Sequence, residues 1–191
     1  WTAENLRTTR FNDGTSIPLV TDDSLWWNLT TPAYCFYNNN TSPAQQKKWG
    51  ALYNWYVVGT NKIAPSGWHV PSFDEWMTLE KYITDNVSNW DGTSFVGKSM
   101  ASKTDWSVCD EPGTVGNDPG KNNSSGFSGL PAGNRTTNFG ELPSRGSWWS
   151  SSSLNPPTND WADAYNIFNC IGQKSIGLQS NSGFSIRLVK N

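Results

Sequence analysis

Residues 42–76 read SPAQQKKWGALYNWYVVGTNKIAPSGWHVPSFDEW, and the rest of the chain is organised around this stretch. Ser42 has the form of an N-cap, Pro43 sits where a missing N–H costs nothing, and Gln45 completes a capping box. Trp49, Leu52, Tyr53 and Tyr56 then recur at the helical period, predicting one apolar face of a helix that Gly59 stops. Ser72 and Glu75 form a second capping box, with Trp76, Leu79 and Ile83 as the buried stripe of a second helix. Between the two, Ala64-Pro65-Ser66-Gly67 predicts a turn, and Trp68, Val70 and Pro71 an extended exit from it. Two helices joined by a rigid aromatic corner predict packing against a sheet made by the remaining residues.

The length, 191 residues, suits one domain over 1–191 with a real core. Charged residues make up 16% and hydrophobic ones 35%, so the aromatics, at 14%, must supply much of that core. Each ring can bury about 150–250 Å². A net charge of −2 without a basic run argues against nucleic acid as a partner. No apolar stretch approaches the roughly 20 residues that insertion into a bilayer needs. Cys35, Cys109 and Cys170 show no CxxC spacing and His69 is the one histidine, which argues against a Cys/His zinc site. One disulfide with a free thiol, and three buried thiols, both fit that count. Trp1 opens inside what reads as a structured segment, as in a piece of a longer protein.

Along the chain, Asn12-Asp13-Gly14 predicts a hairpin turn between two short strands. Residues 21–41 read as a long loop anchored by Trp26, Trp27, Tyr34, Phe36 and Tyr37. The segment 108–123, VCDEPGTVGNDPGKNN, reads either as an ordered loop or as an excursion. The last third predicts an antiparallel meander: Gly146–Ser150, Trp161–Phe168, Lys174–Ser180 and Gly183–Val189. In the last of these, Phe184, Ile186 and Leu188 alternate to one face.

Six separated motifs, WTAENLRTTRFNDGT, WGALYNWYVV, APSGWHVPSFDEW, SGFSGLPAGNR, WWSSS and GFSIRLVKN, cover nearly the whole chain. In this order they resemble the Fibrobacter succinogenes major paralogous domain family. The resemblance implies an α+β, C-type-lectin-like fold of the formylglycine-generating-enzyme type, with two helices packed on a small twisted antiparallel sheet and long loops. It also implies a secreted or lipid-anchored protein of Bacteroidetes or Fibrobacteres, with this chain as its C-terminal part, at a bacterial outer surface or on a phage tail. Domains of this branch serve as variable proteins of diversity-generating retroelements, and residues 155–181 lie where such a variable region would fall.

Candidate chemistry has a structural explanation at several positions. His69 sits in a Gly-Trp-His-Val-Pro corner and reads as hydrogen-bonded behind the first helix rather than as a general base. Asp74 and Glu75 suit a helix start. The formylglycine-generating enzyme holds copper with two nearby cysteines, and Cys170, sixty-one residues from Cys109 (170 − 109), stands alone in the sequence. Asp110, Glu111, Asn117, Asp118, Asn159 and Asp160 are partial echoes of a lectin calcium site and could supply oxygens to a structural calcium. Otherwise no cofactor is expected.

The resulting expectation is a non-catalytic adhesin or receptor-binding domain, with a protein or a glycan as ligand. Its binding surface would comprise Trp149, Asn155, Asp160, Trp161, Asp163, Tyr165, Ile167, Asn169, Ile171, Ile176 and Leu178. Aromatics beside Asn, Asp and Ser give rigid contact area and adaptable hydrogen bonds. The competing expectation is a structural spacer module of a surface lipoprotein or fimbria-like assembly.

Overall fold

The computed structural model describes residues 1–87, 96–156, 158 and 160–191. Its elements, in chain order, are α1 (Asp23–Trp27), β1 (Tyr34–Cys35), α2 (Pro43–Trp49), β2 (Leu52–Tyr53), α3 (Trp55–Gly59), β3 (Trp68–His69), α4 (Phe73–Asn86), α5 (Val96–Met100), β4 (Asn134–Arg135), β5 (Phe139–Gly140), β6 (Arg145–Ser153), β7 (Trp161–Phe168), β8 (Gly172–Gln179) and β9 (Val189–Lys190). The architecture is mixed α/β with small antiparallel sheets, none of them closed. The largest has the order β6-β7-β8, while β1 pairs with β2, β3 with β9 and β4 with β5.

The second predicted helix forms as α4. Ser72 Oγ accepts from the Glu75 N–H, and the Glu75 carboxylate accepts from the Ser72 N–H at 2.8 Å, so both halves of the capping box are present. Trp76 and Ile83 are buried and Leu79 is half-buried. The first predicted helix does not run to Gly59. It breaks at Gly50, whose φ of 77° ends α2, and a β-carbon there would meet the Asn5 Cβ at 2.6 Å and the Leu6 carbonyl oxygen at 2.9 Å. Leu52 and Tyr53 become a strand instead, paired with Cys35 and Tyr34 of β1, and on its other edge the Tyr53 N–H donates to the Phe184 carbonyl at 2.8 Å while the Phe184 N–H returns a bond to the Tyr53 carbonyl at 3.0 Å. Ser42 makes no side-chain cap, and Gln45 accepts from the Trp49 indole rather than closing a capping box. Gly59 does end α3.

Elsewhere the turn at Asn12–Gly14 forms, flanked by the single bridge Arg10–Ser16 rather than by two strands. In the predicted loop 21–41, Asp22 caps α1 by accepting from the Leu25 N–H at 2.8 Å. The meander forms with β6, β7 and β8 close to the predicted spans, but residues 183–188 contribute isolated bridges to Tyr53, Arg135 and Trp148 before β9 begins.

The β6-β7-β8 sheet lies between two hydrophobic clusters. Register pairs Trp148 with Tyr165, and both, with Ile167, face Trp76, Met100 and Phe127 beneath α4 and α5. The alternate positions Trp149, Ala162 and Ala164 face Tyr53, Trp55, Phe184, Ile186 and Leu188. Phe184, Ile186 and Leu188 therefore do share one face, as their alternation predicts. A third cluster gathers Trp26, Ala33, Cys35 and Leu52. At about 25 cal/mol per Å² of buried apolar area, these rings replace the aliphatic residues that the composition lacks.

Two of the buried charges are arginines. Arg135 lies under the rings of Trp26 and Phe139, at 4.5 and 4.7 Å, and donates to the carbonyls of Val20 and Thr21 and to the Asp23 carboxylate. Arg187 lies over Phe127 and ties Thr2, Asn5, Phe127 and Ser128 to the C-terminal segment.

Candidate functional site

Four segments meet at one end of the β6-β7-β8 sheet and leave a cleft of about 340 Å³ between them. Its walls are Trp27 at the end of α1 with Asn28, Leu29 and Thr30 after it, Tyr56 on α3, Asp160 and Trp161 at the start of β7, and Gln179, Ser180 and Asn181 at the end of β8. Backbone bonds fix the walls: Ser180 N–H donates to the Asp160 carbonyl at 2.8 Å, and Trp55 N–H to the Ser180 carbonyl at 2.8 Å. The Asn181 Nδ2 donates to the Trp27 carbonyl at 2.5 Å, joining the β8 end to α1. Its Oδ1 has no hydrogen-bond partner among the described residues. Trp161 is held in turn by Asn155, whose Oδ1 accepts from the Trp161 N–H at 2.9 Å.

The cleft carries one carboxylate and no Lys, Arg or His among its lining residues. Burial, and then the neighbouring Asp160, raise the Tyr56 pKa, so the phenol stays a neutral donor and acceptor.

The predicted binding residues do not gather in one place. Asp160 and Trp161 line the cleft, and Asn155 supports it. Asn169 and the exposed Ile171 lie at the opposite end of β7 and β8, roughly 23 Å away at about 3.3 Å per strand residue. There the Asn169 carbonyl accepts from the Gly116 N–H at 2.8 Å. Asp163 is half-buried, and burial raises its pKa. Ile176 and Leu178 are half-buried opposite Ala164 and Ala162.

Three of the predicted positions are corrected outright: Trp149, Tyr165 and Ile167 are buried and present no surface to a ligand. The Trp149 indole donates to the Tyr53 carbonyl at 2.7 Å and packs on Phe184. Tyr165 stacks on Trp76, and its hydroxyl bonds Glu80 at 3.0 Å. Both faces of β7 are covered, so alternation along this strand does not separate inside from outside. Sequence reasoning missed Trp27, Tyr56, Gln179 and Asn181. Tyr56 was assigned to a helix face that does not exist, and the tandem Trp26-Trp27 gave no sign that one ring goes inward and the other outward.

The loop 108–123 is ordered, and its centre is an ammonium group. Lys98, 5% exposed, extends its Nζ to the carbonyls of Thr114, Asn117 and Asp118 and to Asn122 Oδ1, at 3.1, 2.5, 3.3 and 3.0 Å. Of the oxygens proposed for calcium, two residues' are engaged otherwise: the Asn117 and Asp118 carbonyls face Lys98, and the Asp118 carboxylate pairs with Lys121 at 2.8 Å. Asn159 lies outside the described residues. Among the described residues, no group of three or more His, Cys, Asp or Glu gathers around a common point.

Cys109 and Cys170 form a disulfide that staples this loop to the β7–β8 hairpin, so the isolation of Cys170 in sequence is not isolation in space. Cys35 is a buried free thiol, its pKa pushed up to about 12 mainly by burial. His69 lies on β3 and its side chain reaches the first turn of α4 rather than the back of the first helix. Its Nε2 meets Glu75 Oε1 at 2.7 Å and its Nδ1 meets Asn191 Oδ1 at 2.6 Å, so both ring nitrogens are engaged away from the cleft.

No helix among the described residues is long and apolar enough to cross a membrane. In comparisons with known proteins, the family model for the Fibrobacter succinogenes major domain matches residues 1–190. No curated protein and no solved structure matches the chain.

Proposed function

Since the chain belongs to the Fibrobacter succinogenes major domain family, we propose that it is a non-catalytic ligand-binding domain, an adhesin or receptor-binding module that takes a protein or glycan ligand at an outer surface. The observation that carries this reading is the cleft between Trp27, Tyr56 and Trp161, where exposed aromatic rings stand beside amide and carboxylate side chains. Large rigid rings with adaptable polar neighbours are the composition of recognition surfaces. The Cys109–Cys170 disulfide supports an oxidising location, as on a cell surface or a phage tail. Both nitrogens of His69 are committed to structural partners, which supports a passive role.

We assign the mixed architecture to the C-type-lectin-like fold of the formylglycine-generating-enzyme type, supported by α4 and α5 packing on one face of the β6-β7-β8 sheet and by the long connections. In this reading the variable surface of 155–181 consists of Asn155, Asp160, Trp161, Asp163, Asn169 and Ile171, whereas Ile176 and Leu178 are half-buried on the face shared with the core residues Ala164 and Ala162. The test is binding of the whole chain to arrayed glycans and to immobilised cell-surface proteins, with Trp161→Ala beside the wild type. Saturable binding that weakens at least about tenfold in the variant, or about 1.4 kcal/mol, supports the role. Absence of saturable binding leaves the spacer reading in its place.

A further inference from the structure

We propose that the cleft at the end of the β6-β7-β8 sheet is a subsite for a neutral saccharide, an assignment that rests on the binding role above and names its ligand class. Among the described residues, Trp27 and Trp161 are the tryptophans most open to water, at 37% and 45% exposure, and both line this cleft. An indole left in water forgoes about 25 cal/mol per Å² of apolar burial. Two such rings on one cleft are platforms for a ligand with flat apolar faces, and the C–H faces of a pyranose are of that kind.

The rim matches the edge of such a ring. Sugar hydroxyls both donate and accept, and the side-chain amide of Gln179 offers both functions, while Asp160 offers acceptors. Asn181 has spent its donor on the Trp27 carbonyl, and its Oδ1 has no hydrogen-bond partner among the described residues.

Charge narrows the class. With Asp160 present and no basic residue on the walls, a phosphate, sulfate or uronate would meet a carboxylate without a counter-charge. A quaternary ammonium is the nearest rival, because aromatic rings beside a carboxylate suit a cation. It would leave the amide of Gln179 with nothing to bind. The volume, about 340 Å³, falls within the range of about 300–1,000 Å³ typical of whole-ligand sites and gives a short saccharide room.

The experiment titrates the whole chain with short neutral oligosaccharides of glucose, xylose, mannose, galactose and N-acetylglucosamine, with choline and a sulfated oligosaccharide alongside. Tryptophan indole N–H signals are followed by NMR, and thermal melting confirms that each variant is folded. At least one neutral oligosaccharide is expected to shift the Trp27 and Trp161 signals saturably. Trp161→Ala should weaken that affinity at least about tenfold and Asp160→Asn severalfold, while Tyr82→Ser, on the exposed face of α4, should leave it unchanged. Asp160→Asn decides the matter should Trp161→Ala fail to fold. The assignment is overturned by choline or the sulfated probe shifting these signals in preference to every neutral sugar, by sugar affinity indifferent to both cleft variants, or by no sugar binding at all. If a protein ligand is then lost in Trp161→Ala, the binding role survives and the saccharide class alone falls. If nothing binds through the cleft, both fall.

Discussion

The indole of Trp76 and the phenol of Tyr165 lie parallel, 5° from coplanar with centroids 4.8 Å apart, joining α4 to the central strand of the sheet. Tyr165→Ala removes that stack and opens a cavity between two structural layers. It should cost about 3–5 kcal/mol, the range for emptying a buried aromatic position. Trp161→Ala, four positions earlier on the same strand but half in water, should cost well under about 2 kcal/mol. Urea denaturation of both variants checks the contrast. Equal losses would mean that the two ends of β7 are equally embedded.

Lys98→Met keeps the length of the side chain and removes its ammonium. Three backbone carbonyls and Asn122 Oδ1 then lose a donor in a buried setting. The Thr114 and Asp118 carbonyls keep the N–H groups of Asn117 and Lys121, so the main cost falls on the Asn117 carbonyl and Asn122 Oδ1; at about 1–3 kcal/mol for each acceptor left unpaired, a loss of at least about 2 kcal/mol is expected. Hydrogen exchange should quicken across 108–123 before it does in β6-β7-β8. Wild-type protection of that loop in the variant would show that the ammonium does not organise it.

The His69 contact gives a pH signature. Hydrogen bonds to Asn191, and then to Glu75, raise the His69 pKa above its ordinary value of about 6.5. The charged ring therefore adds stability that is full below about pH 6.5 and is lost as pH rises through the raised value. Burial works to raise the Glu75 pKa, but the bonds from Ser72 and His69 outweigh it and the net shift is downward. Its contribution is present above the ordinary carboxylate range and fades as pH falls through the lowered value. The stability difference between wild type and His69→Gln should thus be largest between about pH 4.5 and 6.5 and shrink on either side. Urea midpoints across pH measure it, and a flat difference contradicts it.

Closing the 61-residue span between Cys109 and Cys170 restricts the unfolded chain. A chain-entropy treatment gives about 4 kcal/mol for a loop of that size. Cys109→Ser/Cys170→Ser, or wild type in reductant, should therefore unfold at clearly lower urea. An unchanged midpoint under reductant would argue that the unfolded chain is already held compact by other contacts.

The helix α4 was legible because a capping box is local: Ser72, Glu75 and the stripe behind them lie within one short window. The preceding stretch was not, because its apolar spacing fits a helix while Gly50 and the demand of Phe184 for a backbone partner at Tyr53 make it a strand. No window of sequence contains both of those residues. The same holds for Arg135 and Arg187, which no local pattern marks and which serve as buried ties between distant segments. Of the cleft, Asp160 and Trp161 could be read from an aromatic-polar cluster, whereas Trp27 and Tyr56 join them only through the packing of α1 and α3.

Because β7 runs between two cores, its tolerance to change is graded along its length rather than from one side to the other. Substitutions at 164–167 would mostly yield chains that fail to fold, whatever mechanism introduced them. Substitutions at 160, 161, 163, 169 and 171 reach water at least in part and leave the clusters and the disulfide intact. Lineages of this domain should accordingly diverge at the two extremities of one strand and agree in its middle, like a rivet whose heads are reshaped while the shank is held.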